Sequence, residues 1–127
     1  MIKACLLVAA GGALGAVGRH LVTAVATAWL GSGFPWGTLI VNVAGSFLLG
    51  VLVALLSAVW TPPGEVRLFL VTGFLGAFTT FSAFSLDVVS EFERGHNSLA
   101  ILYVVASVVL SVLALLAGLR LMRLVLA

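Results

Sequence analysis

LVTAVATAWLGSGFPWGTLIVNVAGSFLLGVLVALLSAVWTPPG, residues 21–64, contains no Asp, Glu, Lys or Arg. One helix crosses the hydrocarbon core of a bilayer with about 20 residues, so this stretch holds more than one crossing. Its interruption is Gly31-Ser32-Gly33-Phe34-Pro35, two glycines and a proline in five residues, which is turn chemistry. Trp29 and Trp36 flank that turn, and Trp60 stands beside the next one, Thr61-Pro62-Pro63-Gly64. Tryptophan prefers the headgroup level, so all three mark span ends.

Two more apolar runs follow, Leu68 to Leu86 and Leu99 to Leu119, separated by the polar stretch Asp87 to Asn97. The pattern predicts an all-α membrane protein with four helices, at about 3–29, 36–60, 65–93 and 98–123, in a single domain covering residues 1–127. Composition agrees. Hydrophobic residues make up 63% of the 127 and charged ones 8%, against roughly 45–50% and 25% in soluble domains. That excludes an ordinary soluble enzyme, and it excludes disorder, which requires low hydrophobicity and high charge. A net charge of +2 gives no footing for nucleic acid. The single cysteine, Cys5, allows neither an internal disulfide nor a cysteine metal cluster. A cleaved leader is disfavoured, because the first apolar run continues to Trp29 without a clear cleavage site. With four spans, Lys3, Arg67, Arg120 and Arg123 lie on one side and Arg94 alone on the other, which favours cytoplasmic termini.

Any chemistry must therefore lie within the membrane. His20 and His96 are far apart, with no ligand spacing around them, so both read as structural or interfacial and no enzyme is expected. Gly11, Gly15 and Gly18 in the first helix, with Ala44, Gly45, Ser46 and Gly50 in the second, are small-residue faces that let helices approach closely and favour an oligomer.

The third helix reads Thr72-Gly-Phe-Leu-Gly-Ala-Phe-Thr-Thr-Phe-Ser-Ala-Phe-Ser85. Gly73, Gly76 and the Thr79-Thr80 pair all weaken a helix. Composition leaves two options open: an intact helix packed through its glycines, or a break whose freed carbonyls suit a cation. Phe78, Phe81 and Phe84 form one stripe, and Thr79, Ser82 and Ser85 the adjoining one. Phenyl ring edges are electropositive, so edges beside hydroxyls offer a path to a small anion. Asn42 brings an amide deep into the second helix, where buried polar groups tend to be functional. Tyr103, Ser107 and Ser111 recur every four residues on the fourth helix; the bland alternative for the two serines is a bond to their own backbone. Arg19 lies well inside the first span, free to snorkel, to pair with Asp87 or to raise the potential for an anion. Asp87 and Glu91 read as a solvated helix end.

Three motifs together, Gly11-x-x-x-Gly15-x-x-x-Arg19, Pro-Trp-Gly-Thr-Leu-Ile-Val-Asn (35–42) and the Thr-Thr-Phe-Ser-x-Phe-Ser block within 72–85, resemble the Fluc fluoride channel family, also called CrcB. The resemblance spans nearly the whole chain, and the last block is the most specific. It implies a passive, fluoride-selective channel of the bacterial inner membrane that exports fluoride from the cytoplasm. It implies an antiparallel, dual-topology homodimer, or a pair with a homologue, carrying two pores at the interface. It places the pore phenylalanines at Phe81 and Phe84, the pore asparagine at Asn42, and the polar track at Tyr103, Ser107 and Ser111. Ser82 and Ser85 join that set from the hydroxyl stripe. The resemblance implies a third helix broken mid-membrane, with a structural sodium ion held by the carbonyls of Gly76 and Thr79, two from each subunit. Its first-helix arginine falls on Arg19, with Asp87 at the vestibule. Ala83 and Asp87 depart from the threonine and glutamate common in the family. The principal alternative is a small multidrug-resistance-type exporter, which depends on a glutamate in the first helix; here that helix carries Arg19 and no acid. A non-transporting assembly or lysis protein would have no use for Asn42 or the Phe and Ser stripes.

Overall fold

The computed structural model describes residues 1–58 and 63–127. Among these are four helices long and apolar enough to cross a membrane. They are α1 (Ile2–Leu30), α2 (Trp36–Ala58), α3 (the span Gly64–Glu93) and α4 (Asn97–Leu126). The expected helices match these in number and order, and differ by a few residues at their ends. Trp60 and the Thr61-Pro62 part of the second turn lie outside the described residues.

Turn chemistry places the helix ends. The first turn contains Gly31, whose φ of 81° is left-handed, and its N–H donates to the Thr27 carbonyl at 2.9 Å. At the end of α3, Gly95 takes φ 82°. Its N–H reaches the Phe92 carbonyl at 3.0 Å, and the His96 N–H reaches the Glu91 carbonyl at 2.9 Å. This pair of bonds satisfies the last carbonyls of a helix, and it needs a residue at ease in the left-handed region.

α3 is not one continuous α-helix. Leu68–Leu75 is wound as a π-helix, Gly76–Phe78 returns to α, and helical structure stops at Thr79 (φ −86°, ψ 158°) before resuming at Ser82–Glu93. The break is where α3 changes neighbours. Before it, the helix packs on α1; after it, Ser82–Glu93 packs on α4. α2 packs along α4.

Glycine permits these close crossings. A Cβ on Gly11 would strike the Phe69 carbonyl oxygen, and one on Gly15 that of Phe74. Between α2 and α4, a Cβ on Gly50 would strike the Leu115 carbonyl oxygen and one on Gly118 that of Phe47. In each case the obstacle is backbone, so helices meet at backbone distance, as lipid-dissolved helices do where small residues allow. Among the described residues few large side chains are fully buried; Tyr103 and Val41 are the principal ones. Leu14, Val17, Leu21 and Val25 on α1, and Val105, Val109, Val112 and Leu116 on α4, point outward. An apolar exterior of this kind suits lipid as solvent.

Gly50→Ala is expected to cost about 1–3 kcal/mol, because a backbone obstacle cannot rotate away. Gly33→Ala, where a Cβ meets nothing within 4 Å, is expected to stay within about 0.5 kcal/mol of the parent. Equilibrium unfolding in detergent checks both.

Candidate functional site

A helix interrupted at membrane depth leaves peptide groups that lipid cannot satisfy. At the α3 break, three side chains from three places in the chain satisfy them. Asn42 of α2 donates from Nδ2 to the Thr80 carbonyl at 3.0 Å, and its Oδ1 accepts the Thr80 N–H at 2.8 Å. One amide thus pairs with both polar groups of one residue, as a neighbouring strand would. This pairing fixes which way the amide faces and leaves its second N–H uncommitted within the chain. Arg19 of α1 donates from Nε to the Ala77 carbonyl at 3.0 Å. A cation at the carbonyl end of a helix is favourable. The Thr80 hydroxyl accepts the Ala83 N–H at 3.1 Å, capping the start of Ser82–Glu93. Thr79 turns inward, its N–H and hydroxyl both donating to the Leu75 carbonyl at 3.1 and 2.9 Å. Phe81 supplies a carbonyl to the Ser85 N–H and hydroxyl at 2.9 and 3.0 Å. The carbonyls of Gly76, Phe78 and Thr79 receive none of these bonds.

Beside the break runs an open groove of about 430 Å³. Its wall includes Asn42, Gly45, Ser46 and Leu49 of α2, Gly76, Thr79, Thr80, Phe81 and Phe84 of α3, and Ser107 and Ser111 of α4. The rings of Phe81 and Phe84 lie 5.4 Å apart, tilted by 49°. Phe84 is buried, whereas Phe81 is 77% exposed on the open side of the groove. Ser107 Oγ is buried and makes no hydrogen bond. The bland alternative for this serine, a bond to its own helix, is therefore not realised.

Of the residues read from sequence as a site, the groove gathers Asn42, Phe81, Phe84, Ser107, Ser111, Gly76 and Thr79. Ser82 and Ser85 are not in its wall: Ser82 lies 3.4 Å from the Thr80 hydroxyl, and Ser85 bonds back to Phe81. Tyr103 is fully buried. Its ring packs 5.2 Å from Phe84 and edge-on to Phe34 at 5.5 Å, and its hydroxyl donates to Asp87 Oδ2 at 3.0 Å. Arg19 and Asp87 do not pair with each other; each has the partner just described.

Glu91 corrects the reading of a solvated helix end. It is 5% exposed, and its oxygens meet Arg94 Nη1 at 3.3 Å and His96 Nδ1 at 2.7 Å. A carboxylate taken out of water needs such partners. Ser46 and Thr80 were missed as wall residues. Ser46 falls one turn after Asn42 on α2, a spacing that could have flagged it.

The sequence pattern of the family described as "CrcB-like protein, Camphor Resistance (CrcB)" matches residues 6–119. The chain is similar to the fluoride-specific ion channel FluC of Rhodospirillum centenum, 54% identical over 122 residues, covering 96% of this chain and 97% of that one. It is also similar to the FluC of Agrobacterium fabrum, 56% identical over 117 residues, covering 92% and 94%. The FluC of Nitrobacter winogradskyi is 51% identical over 120 residues, covering 94% and 95%.

Asn42→Leu is expected to orphan the Thr80 peptide at a cost of about 1–3 kcal/mol for each unsatisfied group. Amide hydrogen exchange at Thr80 should accelerate at least about tenfold as that segment opens locally. Unaltered exchange at Thr80 in this variant would contradict the clamp.

Proposed function

The chain belongs to the CrcB-like family, and on that premise we propose that it is a fluoride-specific channel through which fluoride leaves the cytoplasm passively across the bacterial inner membrane. The observation that carries this reading is Ser107 Oγ, a buried hydroxyl with no partner, in the wall of a groove that also presents Phe81, Phe84, Ser111 and the amide of Asn42. A buried polar group left unsatisfied costs about 1–3 kcal/mol, and a passing anion that accepts its proton removes that cost.

Fluoride is small and strongly hydrated, so it enters an apolar bundle only by exchanging water for donors placed in advance. Ser107 and Ser111 each supply a hydroxyl proton. Asn42 contributes its uncommitted N–H, and Phe81 and Phe84 their positive ring edges. All are neutral. A chain of weak sites holds an ion and also releases it, which conduction requires. Among the described residues no lysine or arginine stands in the groove wall to trap the ion; Arg19 keeps its charge but is held at the Ala77 carbonyl, outside that wall.

The groove is open on the side of Phe81, and a second copy in the opposite orientation would close it. An antiparallel homodimer would then carry two pores, one per groove. A paired homologue would serve in the same way. The unused carbonyls of Gly76 and Thr79 are neutral oxygen donors suited to a hard cation. Two from each subunit would hold one structural sodium ion, neutralising the carbonyl end of the broken helix and tying the copies together.

Purified protein in liposomes is expected to release fluoride and retain chloride; equal release of both would overturn the reading. Ser107→Ala should lower fluoride efflux several-fold while leaving the melting temperature unchanged or raised, since it removes an unsatisfied group. A merely structural serine would show the reverse pattern. Exchange of sodium for a bulky organic cation should weaken both flux and dimer, and indifference to it would contradict the Gly76 and Thr79 site.

A further inference from the structure

The face of α2 that meets the break carries two residues three positions apart. Asn42 contributes a hydrogen-bonded clamp; Gly45 contributes a hollow. Gly45 is buried, and a Cβ placed on it would overlap the γ2 methyl of Thr79 and stand 3.4 Å from the Phe78 ring. The Thr79 methyl thus fills the place where any other residue at position 45 would carry its own first carbon. Thr79 has no spare rotamer to take. Its hydroxyl and its N–H both donate to the Leu75 carbonyl, and a β-branched side chain with one arm fixed has the other fixed too.

We propose that Gly45 is a positioning residue: a socket on α2 that seats the Thr79 methyl, fixes the angle at which the chain leaves the helix, and so aims the Thr79 carbonyl. This rests on the channel reading insofar as that carbonyl faces the interface cation; the socket itself rests on packing alone. It differs in kind from the contacts at Gly11, Gly15, Gly50 and Gly118, where the first obstacle is a backbone oxygen. At Gly50 the obstacle to a Cβ is the backbone of Leu115, which no side-chain change relieves. At Gly45 the first obstacle is a methyl group, and serine at position 79 lacks that methyl while keeping the hydroxyl that bonds Leu75.

The test is a reciprocal pair in the full chain, purified with sodium: Gly45→Ala, Thr79→Ser and the double variant, with Thr79→Ser also placed on Gly50→Ala. Gly45→Ala is expected to lower the melting temperature by about 5–10 °C and fluoride efflux about tenfold, and to raise the sodium concentration needed for half-maximal stabilisation. The double variant should recover most of all three, whereas Thr79→Ser should not rescue Gly50→Ala. If Gly45→Ala alone fails to fold, recovery is read as the folded yield of the double variant. Melting is measured without transport, so a protein that carries no fluoride ends the channel reading and still leaves the socket open to test. A Gly45→Ala protein that matches the parent, or a double variant no better than Gly45→Ala, overturns the socket.

Discussion

Peptide groups freed in a membrane must find partners inside the protein, and the pairing of Asn42 with Thr80 is where this fold meets that constraint. A backbone N–H and a carbonyl left bare there cost about 1–3 kcal/mol each, a sizeable share of the about 5–15 kcal/mol that holds one domain together. The amide at Asn42 answers both groups of one residue at 2.8 and 3.0 Å. Arg19 closes the helix end before the break, and the Thr80 hydroxyl opens the one after it. The interruption is thus built from three side chains that converge from α1, α2 and α3 itself.

Once the break is held, the rest of the arrangement follows. The first half of α3 stays against α1, at backbone distance through Gly11, Gly15 and Gly73; the second half crosses to α4. That crossing places Phe84 against Tyr103 and turns Phe81 outward beside it. It also separates two kinds of helix end. The carbonyls of Gly76 and Thr79 lie on the negative end of one half-helix, while the phenylalanines stand at the positive start of the other. On the proposed reading, a cation site and an anion path adjoin on the same groove wall because the helix between them is cut.

Much of this was legible in the residues. The charge-free stretch and its Gly and Pro turns set the spans, and Gly11, Gly15 and Gly50 read as close contacts. The break itself was not decidable locally, because Gly73, Gly76 and Thr79-Thr80 suit an intact helix as well as a cut one. What decides it is a partner 38 residues away in sequence, and no periodicity reports that. Asn42 was legible as a costly buried amide, but not that its first duty is to Thr80. Tyr103, Ser107 and Ser111 share a spacing, yet only the serines line the groove. Asp87 draws the tyrosine hydroxyl into the core, a pairing that the spacing does not encode. Glu91 looked like a solvated acid for a similar reason: the turn at Gly95 folds Arg94 and His96 back onto it.

The central claim is that neutral donors, aligned by a broken helix, take over the hydration of a small anion. A high-resolution map of the protein in fluoride and sodium tests it most directly. The account predicts a chain interrupted at residues 79–81, with isolated density between the Phe81 and Phe84 ring edges and the Ser107 hydroxyl. It would be contradicted by a continuous third helix, its aromatic rings turned to the acyl chains and Ser107 bonded to the Tyr103 carbonyl of its own helix.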